Sequence, residues 1–441
     1  MKLAIVGARI IDGLAEKPLP PGVVLIDDEG RIAAVGQGEN LAIPEGTPRL
    51  DATGMTLMPG LIDGHQHVTW DKGLYSAKSV SQFARAHAQQ DSERQLVRAG
   101  HYVQMALAAG VTTLRDCAAD DFSVLALRDM IDAGSFVGPR ILACGRAITT
   151  TAGHTYTDWG VDTADGMKKA VRWLASHGVD FIKILVSGGT TTPGTNITRS
   201  QYTREELRAA VDDAHRLGLA VACHAISTDS IRLCAETGVD TIEHCSWIGP
   251  DAKTAVTDKQ AVAMMVKNGV RVDHAIIPRP YLVPQEHPGE IGAETRWWLD
   301  MLRVRWPFLH YMRQQGVTVF LGTDAAYGPW PGTDLWPGFQ DFARAIEIMV
   351  SWADFTPMAA IRMATSEAAK ALRLDREIGS ITPGKRADLI LLEKDPLADI
   401  RALRDVAMVL RDGAVVANRG QIILGTTRTR GGSLRGWELP V

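Results

Sequence analysis

AVACHAISTDSIRLCAETGVDTIEHCS, Ala220 to Ser246, is the stretch on which the fold turns. It begins and ends with short apolar runs, AVACHA and TIEHCS, and each run carries a histidine toward its end, His224 and His244. The twenty-residue step between the two suits a short helix and turn crossing between adjacent parallel strands. Both imidazoles would then stand at the same end of neighbouring strands.

The pattern continues on both sides. LMPGLIDGH, VTTLRDC, RILACG and DFIKILVS precede it, VRVDHAI and TVFLGTDA follow it, and all have strand character. Several intervening segments carry helical spacing and good helix formers, such as TREELRAAVDDAHRL, where Thr203 and Glu206 are placed for a capping box. Eight strands with helices after most of them predict an α/β architecture, a (β/α)8 TIM barrel. An open doubly wound sheet is the alternative, but it usually has fewer strands and a Gly-rich dinucleotide loop, and no such loop is found.

The chain ends differ from the middle. LAIVGARII and VVLIDDEGRIAAVG near the start, and ADLILLEK, AMVLRDGAVV and QIILG near the end, read as short strands separated by turns. Each set is too short to stand alone, so the two are expected to pair as one discontinuous β-sandwich domain. At 441 residues the chain exceeds one hydrophobic core. The expected division is 1–55 and 380–441 for the β domain and 56–379 for the barrel. The Arg- and Gly-rich tail after Gly425 is expected to be disordered or to wrap a neighbouring subunit, and a homo-oligomer is expected.

A formal net charge of −4 without a basic run argues against nucleic acid or an anionic membrane as the main partner. The opening MKLAIVGARIID is too short for a signal-peptide core, and no run approaches the roughly 20 apolar residues that cross a bilayer. A cytoplasmic location is expected. Cys117, Cys144, Cys223, Cys234 and Cys245 are odd in number and form no CxxC pair, so they read as reduced, mostly buried thiols.

Against this frame, metal-competent residues gather at one end of the strands. His65 and His67 flank Gln66 at the end of the first barrel strand, and side chains two apart on a strand face the same way. Lys183 lies between Phe181, Ile182, Ile184 and Leu185, in a setting that disfavours charge. Taken alone, it reads as a snorkelling lysine or one paired to a carboxylate. The other reading is an amine that captures CO2 as a bridging carbamate. His224, His244 and Asp324, the last in FLGTDA, end three further strands. Any one of these is more often structural, but five strands delivering such residues at one end point to a metal site, and barrel active sites lie at that end.

PGLIDGHQH (Pro59–His67), GVTTLRDC (Gly110–Cys117), FIKIL around Lys183, CHA around His224, IEHC around His244 and GTDA around Asp324 resemble the amidohydrolase superfamily, in the branch with imidazolonepropionase-like and prolidase-like members, ochratoxinase-like dipeptidases among them. IGSITPGKRADLILLEKDPLADI (Ile378–Ile400) resembles that family's return to its small β domain, so the resemblance spans nearly the whole chain. It implies two divalent metal ions. His65, His67 and Asp324 would hold the buried one, His224 and His244 the exposed one, and carboxylated Lys183 would bridge them. Zinc suits such imidazole and oxygen donors, with manganese, iron and cobalt as alternatives.

The expected chemistry is attack of a metal-bridging hydroxide on an amide carbonyl, with Asp324 carrying the proton to the leaving nitrogen. His154, in an Ala152-Gly153-His154 run where relatives have a Gly-Gly-His type motif, is the candidate substrate or oxyanion contact. Its alternative is a histidine bonded to the backbone on a surface loop. Tyr202 matches a family tyrosine that reaches the substrate, and a helix-entry staple is the alternative. Gly188-Gly189 reads as a close approach of backbone to substrate or as a simple turn. His274 is a pocket-lining candidate, while His87, His101, His177, His215, His287 and His310 have no comparable placement. Cys223 and Cys245 should face outward by strand alternation. Loops Val68–Arg98 and Pro278–Trp298 are long enough to cover the site, and Tyr327, Trp330 and Trp336 on the loop after Asp324 would line an apolar pocket or pack beneath a lid.

The substrate expected is an N-acyl amino acid, a dipeptide or an aryl-amide conjugate such as ochratoxin. A cyclic-amide hydrolase or deaminase is the enzymatic alternative. A catalytically silent scaffold is the non-enzymatic one, and it predicts missing ligands where none is missing.

Overall fold

The computed structural model describes residues 1–37, 41–70, 91–156, 158–275, 293–326 and 338–424, without the side chains of 293–299 and 301–303. The tail from 425, the residues 71–90 of the first long loop, the segment 276–292, and Tyr327, Trp330 and Trp336 lie outside the described residues.

The two chain ends meet in one hydrogen-bonded sheet. Its N-terminal strands are β1 (Leu3–Ile10), β2 (Leu19–Ile26), β3 (Ile32–Gln37), β4 (Arg49–Asp51) and β5 (Thr56–Pro59). Alternation along β1 and β2 puts Ile5, Ile10, Val24 and Ile26 into one apolar cluster and Ala4, Val23 and Leu25 into another. Each face is thus covered by side chains one position out of phase with the other.

LMPGLIDGH, read in sequence as one strand, is two. After β5 the chain turns at Gly60 into β6 (Leu61–His67), which pairs with a different sheet. A side chain at Gly60 would meet Thr112 Oγ1 at 2.2 Å, so the handover needs glycine.

The middle of the chain supplies β6, β7 (Val111–Asp116), β8 (Arg140–Ala143), β9 (Phe181–Leu185), β10 (Ala220–Ser227), β11 (Thr241–Ile248), β12 (Arg271–Ala275), β13 (Val319–Gly322) and β14 (Ala325–Ala326). They pair in parallel in the orders β14-β6-β7-β8 and β13-β12-β11-β10-β9. Ile148 N donates to Lys183 O (2.8 Å) and Leu185 N to Ile148 O (2.9 Å) where the first run meets the second. On the far side Asp324 N donates to His65 O at 2.8 Å, next to the pair Ala325–Gln66. The architecture is parallel α/β of the TIM-barrel type with an additional sheet.

That sheet is completed by β15 (Leu389–Leu392), β16 (Val406–Arg411), β17 (Ala414–Asn418) and β18 (Gln421–Ile422), with β15 antiparallel to β5. Helices between the parallel strands cover their outer faces. Ile182, Ile184, Val221, Cys223, Ile242 and Cys245 pack outward against helical residues such as Leu207, Ile231 and Cys234. All five cysteines are free and buried. The helix Arg204–Arg216 starts with the expected capping box between Thr203 and Glu206. Among the described residues no helix is long and apolar enough to cross a membrane.

Candidate metal centre

Period two decides what faces inward at the C-terminal end of the parallel strands. On β9, Ile182 and Ile184 point to the helices, so Lys183 between them points to the interior and is 1% exposed. On β10, Cys223 and Ala225 are helix-facing and His224 lies inside. Strand β11 breaks the alternation. Glu243 reaches His65 Nδ1 at 3.1 Å, and the next residue, His244, also turns to the site, with its ring 5.0 Å from that of His65. Its φ of +66° is the left-handed conformation that turns two successive side chains inward. Asp324, at φ +53°, makes a similar turn after β13. Gly322 keeps this side open to His65, since a Cβ there would stand 2.4 Å from His65 Cβ.

Donor atoms of His65, His67 and Asp324 lie within 4.8 Å of one another. Their hydrogen bonds fix where the protons are. His67 Nδ1 is 3.2 Å from Ala118 O, and a carbonyl only accepts, so Nδ1 carries a proton. Its Nε2 faces Asp324 Oδ1 at 3.2 Å. His65 Nδ1 stands between Asp273 Oδ2 (2.8 Å) and Glu243 Oε2 (3.1 Å), while its Nε2 is 3.6 Å from Asp324 Oδ1. Two imidazole nitrogens and a carboxylate oxygen thus converge, and imidazole with carboxylate is a donor set suited to a divalent metal. Burial and Lys183 depress the His65 pKa to about 4, which keeps the imidazole a neutral ligand. Burial by itself raises Asp324, but the bond with His67 and the neighbouring His65 and His244 outweigh it and hold the carboxylate below its ordinary range. The Asp324 side chain is 19% exposed and offers the group's opening to solvent.

Lys183 Nζ lies 3.5 Å from His65 Nε2 and, among the described residues, forms no ion pair with a carboxylate. Of the two readings of the residue taken alone, the carboxylate pairing is not made among the described residues. His224 Nε2 donates to Gly188 O at 3.1 Å, which leaves Nδ1 as its ligand atom. Its ring lies 4.7 Å from that of His244 and 4.6 Å from that of His154. Burial holds both His224 and His244 well below the ordinary histidine range, with neighbouring histidines adding to the effect.

His154 is buried, not on a surface loop. Its Nδ1 bonds Thr192 Oγ1 at 2.8 Å, and a side chain at Gly189 would strike its ring at 2.2 Å. Burial depresses its pKa to about 3. Tyr202 is not brought to this cluster. It is buried in the same apolar core as Leu207, at the position before the Thr203 cap that a hydrophobic staple occupies, and its hydroxyl has no hydrogen-bond partner among the described residues. His274 is buried with Nδ1 3.1 Å from Arg305 Nη2. His177 stacks on Phe122, His215 pairs with Asp240 and His310 bonds Ala353 O, all away from the site, while His87 and His287 lie outside the described residues.

Beneath the cluster lie groups that no local motif marks out. Asp63 accepts from His65 N (3.2 Å), Gln66 Nε2 (2.7 Å), Thr323 N (3.0 Å) and Thr323 Oγ1 (2.7 Å), tying the first strand to the last. Burial pushes its pKa up to about 6. Trp70 stacks on His67 with centroids 3.9 Å apart. Glu243, Asp273 and Arg115 surround the inner side of His65. Burial raises Glu243, but Arg115 and His65 outweigh it and hold it well below its ordinary range, whereas burial and the Glu243 charge push Asp273 well above. Cys117 Sγ lies beside His65 and Glu243, but burial raises it to about 12 and keeps it a thiol. A charged residue inside an apolar run was the available signal. It singled out Lys183 and was equally present in TTLRDC and TIEHCS.

Comparison with known proteins bears on this geometry. The family model described as "Amidohydrolase family" matches residues 56–416. The chain is 25% identical over 439 residues to ochratoxinase from Aspergillus niger, covering 92% of this chain and 84% of that one. An Xaa-Pro dipeptidase crystallised with methionine in its active site superposes with a TM-score of 0.79 at 27% identity, covering 94% of this chain and 99% of the other. A putative prolidase from Bifidobacterium longum gives 0.75 at 29% identity, with 94% of each chain covered. Six residues from five strands converge at one end, and the family match embraces all six. The chain is a hydrolase acting on carbon–nitrogen bonds and belongs to the amidohydrolase family.

Proposed function

We propose that this chain is a binuclear metal-dependent amidohydrolase that cleaves the amide or peptide bond of an N-acyl amino acid, a dipeptide or an aryl-amide conjugate of the ochratoxin kind. The observation that carries the reading is the convergence of His65 Nε2, His67 Nε2 and Asp324 Oδ1 beside a buried lysine that, among the described residues, no carboxylate pairs. His65, His67 and Asp324 would hold one cation, and His224 through Nδ1 would hold the other with His244. Lys183, its amine having added CO2 and lost a proton, would offer an oxygen to each. Zinc suits these donors. When bound, such ions lower the pKa of water to about 7 and polarise the amide carbonyl.

The remaining work falls to side chains of this chain. Asp324, held ionised and open to solvent, takes the proton of the attacking water and delivers it to the leaving nitrogen, because an amide anion does not depart unprotonated. His154, fixed through Nδ1 by Thr192, keeps Nε2 for the substrate carbonyl oxygen. Tyr202 is left out of the site because its ring lies in the helix-side core.

The hydrogen bonds at Ile148 and at Asp324 favour one closed ring of eight strands. Apolar clusters on both faces of the end sheet favour a β-sandwich from 1–55 and 380–441, with 56–379 as the barrel and β5 as the link.

Metal analysis of purified protein, with a screen of Xaa-Pro dipeptides, N-acyl amino acids and ochratoxin, tests the reading. Two divalent ions per chain and release of a free amino acid are expected. Ring opening or ammonia release would instead favour a cyclic-amide hydrolase or deaminase, and active protein free of metal would end the proposal.

A further inference from the structure

Three ionisable side chains fill the layer below the proposed metal cluster. Arg115, 3% exposed, lies between the rings of Phe181 (5.3 Å) and Phe320 (5.4 Å). Its Nε donates to Gly64 O at 2.7 Å, Nη1 to Thr241 Oγ1 at 3.1 Å and Nη2 to Glu243 Oε2 at 2.7 Å. Glu243 and Asp273, both fully buried, then present oxygens to one atom, His65 Nδ1.

Taking such charges from water is costly, and well-packed apolar residues would usually give an equally stable interior. Their common target is His65. Arg115 donates and never accepts, so it fixes Glu243 as an acceptor, and an acceptor 3.1 Å from Nδ1 calls for a proton there. The Nε2 lone pair is then turned toward Asp324 and Lys183. Through Gly64 O, the same guanidinium also grips the backbone just before His65.

We propose that Arg115, Glu243 and Asp273 are positioning residues that lock His65 as the Nδ1–H tautomer, so that Nε2 is committed to the metal before any metal arrives. The proposal rests on the binuclear reading given above. A carboxylate behind a ligating histidine raises its basicity and fixes its orientation, and losing such a partner typically weakens metal binding about 10- to 100-fold.

The test is Co2+ binding to chelator-stripped protein, followed by a competing indicator and by the visible spectrum of the bound ion. Circular dichroism and the melting temperature report on folding. Glu243→Gln is expected to fold, to lose about 10- to 100-fold in affinity for the tighter ion and to shift the Co2+ spectrum. Arg115→Met should match it, and Arg115→Lys should recover part of the affinity. Asp273→Asn, the mildest change, provides the same measurement if Glu243→Gln does not fold. A folded variant with wild-type affinity and spectrum overturns the proposal, as does a lowered melting temperature with unchanged binding. Wild-type protein that takes up no Co2+ overturns the metal reading and this inference together. Wild-type binding with no response in the variants overturns the inference alone.

Discussion

The two halves of the proposed centre are built on different principles. The half around His65, His67 and Asp324 is backed by buried charge, with Asp63 across the seam and Glu243, Asp273 and Arg115 beneath. The half around His224 and His244 is backed by a backbone carbonyl, by neighbouring imidazoles and by the His154 loop. A ligand set whose tautomers are fixed in advance spends less of its binding free energy on ordering. The first half should therefore hold its ion tightly. The second should hold a more exchangeable one where the substrate enters.

The sharpest way to break this contrast is to remove the residue shared by both halves. Lys183→Ala should lose metal and nearly all turnover, with partial rescue by short-chain carboxylic acids, as read by metal analysis and initial rates. Two tightly held ions in that variant would refute the bridging role. Next in size, Asp324→Asn should leave circular dichroism unchanged and lower kcat by about 10²–10⁴-fold, the usual range for a lost acid–base group. Near-normal kcat would exclude proton transfer by Asp324.

His224→Ala separates the halves directly. It should cost one equivalent of metal while the other stays bound, whereas His65→Ala should cost both; equal losses would erase the distinction. The smallest effect concerns pH. His154 has a folded pKa of about 3 against an ordinary value of 6.5, so between these values the unfolded chain binds more protons there than the folded one. Its contribution to stability is therefore intact above pH 6.5 and falls as pH drops toward 3. Relative to His154→Gln, the wild type should lose up to about 1.4 kcal/mol per pH unit across that window. Parallel denaturation curves for the two proteins from pH 7 to 5 would show that His154 is not buried as a neutral ring.

Much of this was legible in the chain. The strands of the middle lie within the apolar runs expected to form them, because burial on a pleated sheet writes its period locally. The six residues brought together were those standing at the common ends of these runs. Tyr202 shows the limit of reading by motif, since its place just before a helix cap fits a staple as well as a substrate contact, and it is buried in the apolar core. Pro59-Gly60 shows another, because one apolar run feeds two sheets and only pairing partners reveal the break.

By itself the sequence determined the alternating strands and helices, the β-rich ends and the side chains competent to bind metal, since these depend on residue type and short-range period. Only the tertiary structure decided which nitrogens of His65, His67 and His224 face the site, that Glu243 and His244 both turn inward, and that Arg115 meets a glutamate far along the chain. A tautomer is set by what stands within about 3 Å of the ring, and that neighbour comes from another strand that no local pattern names.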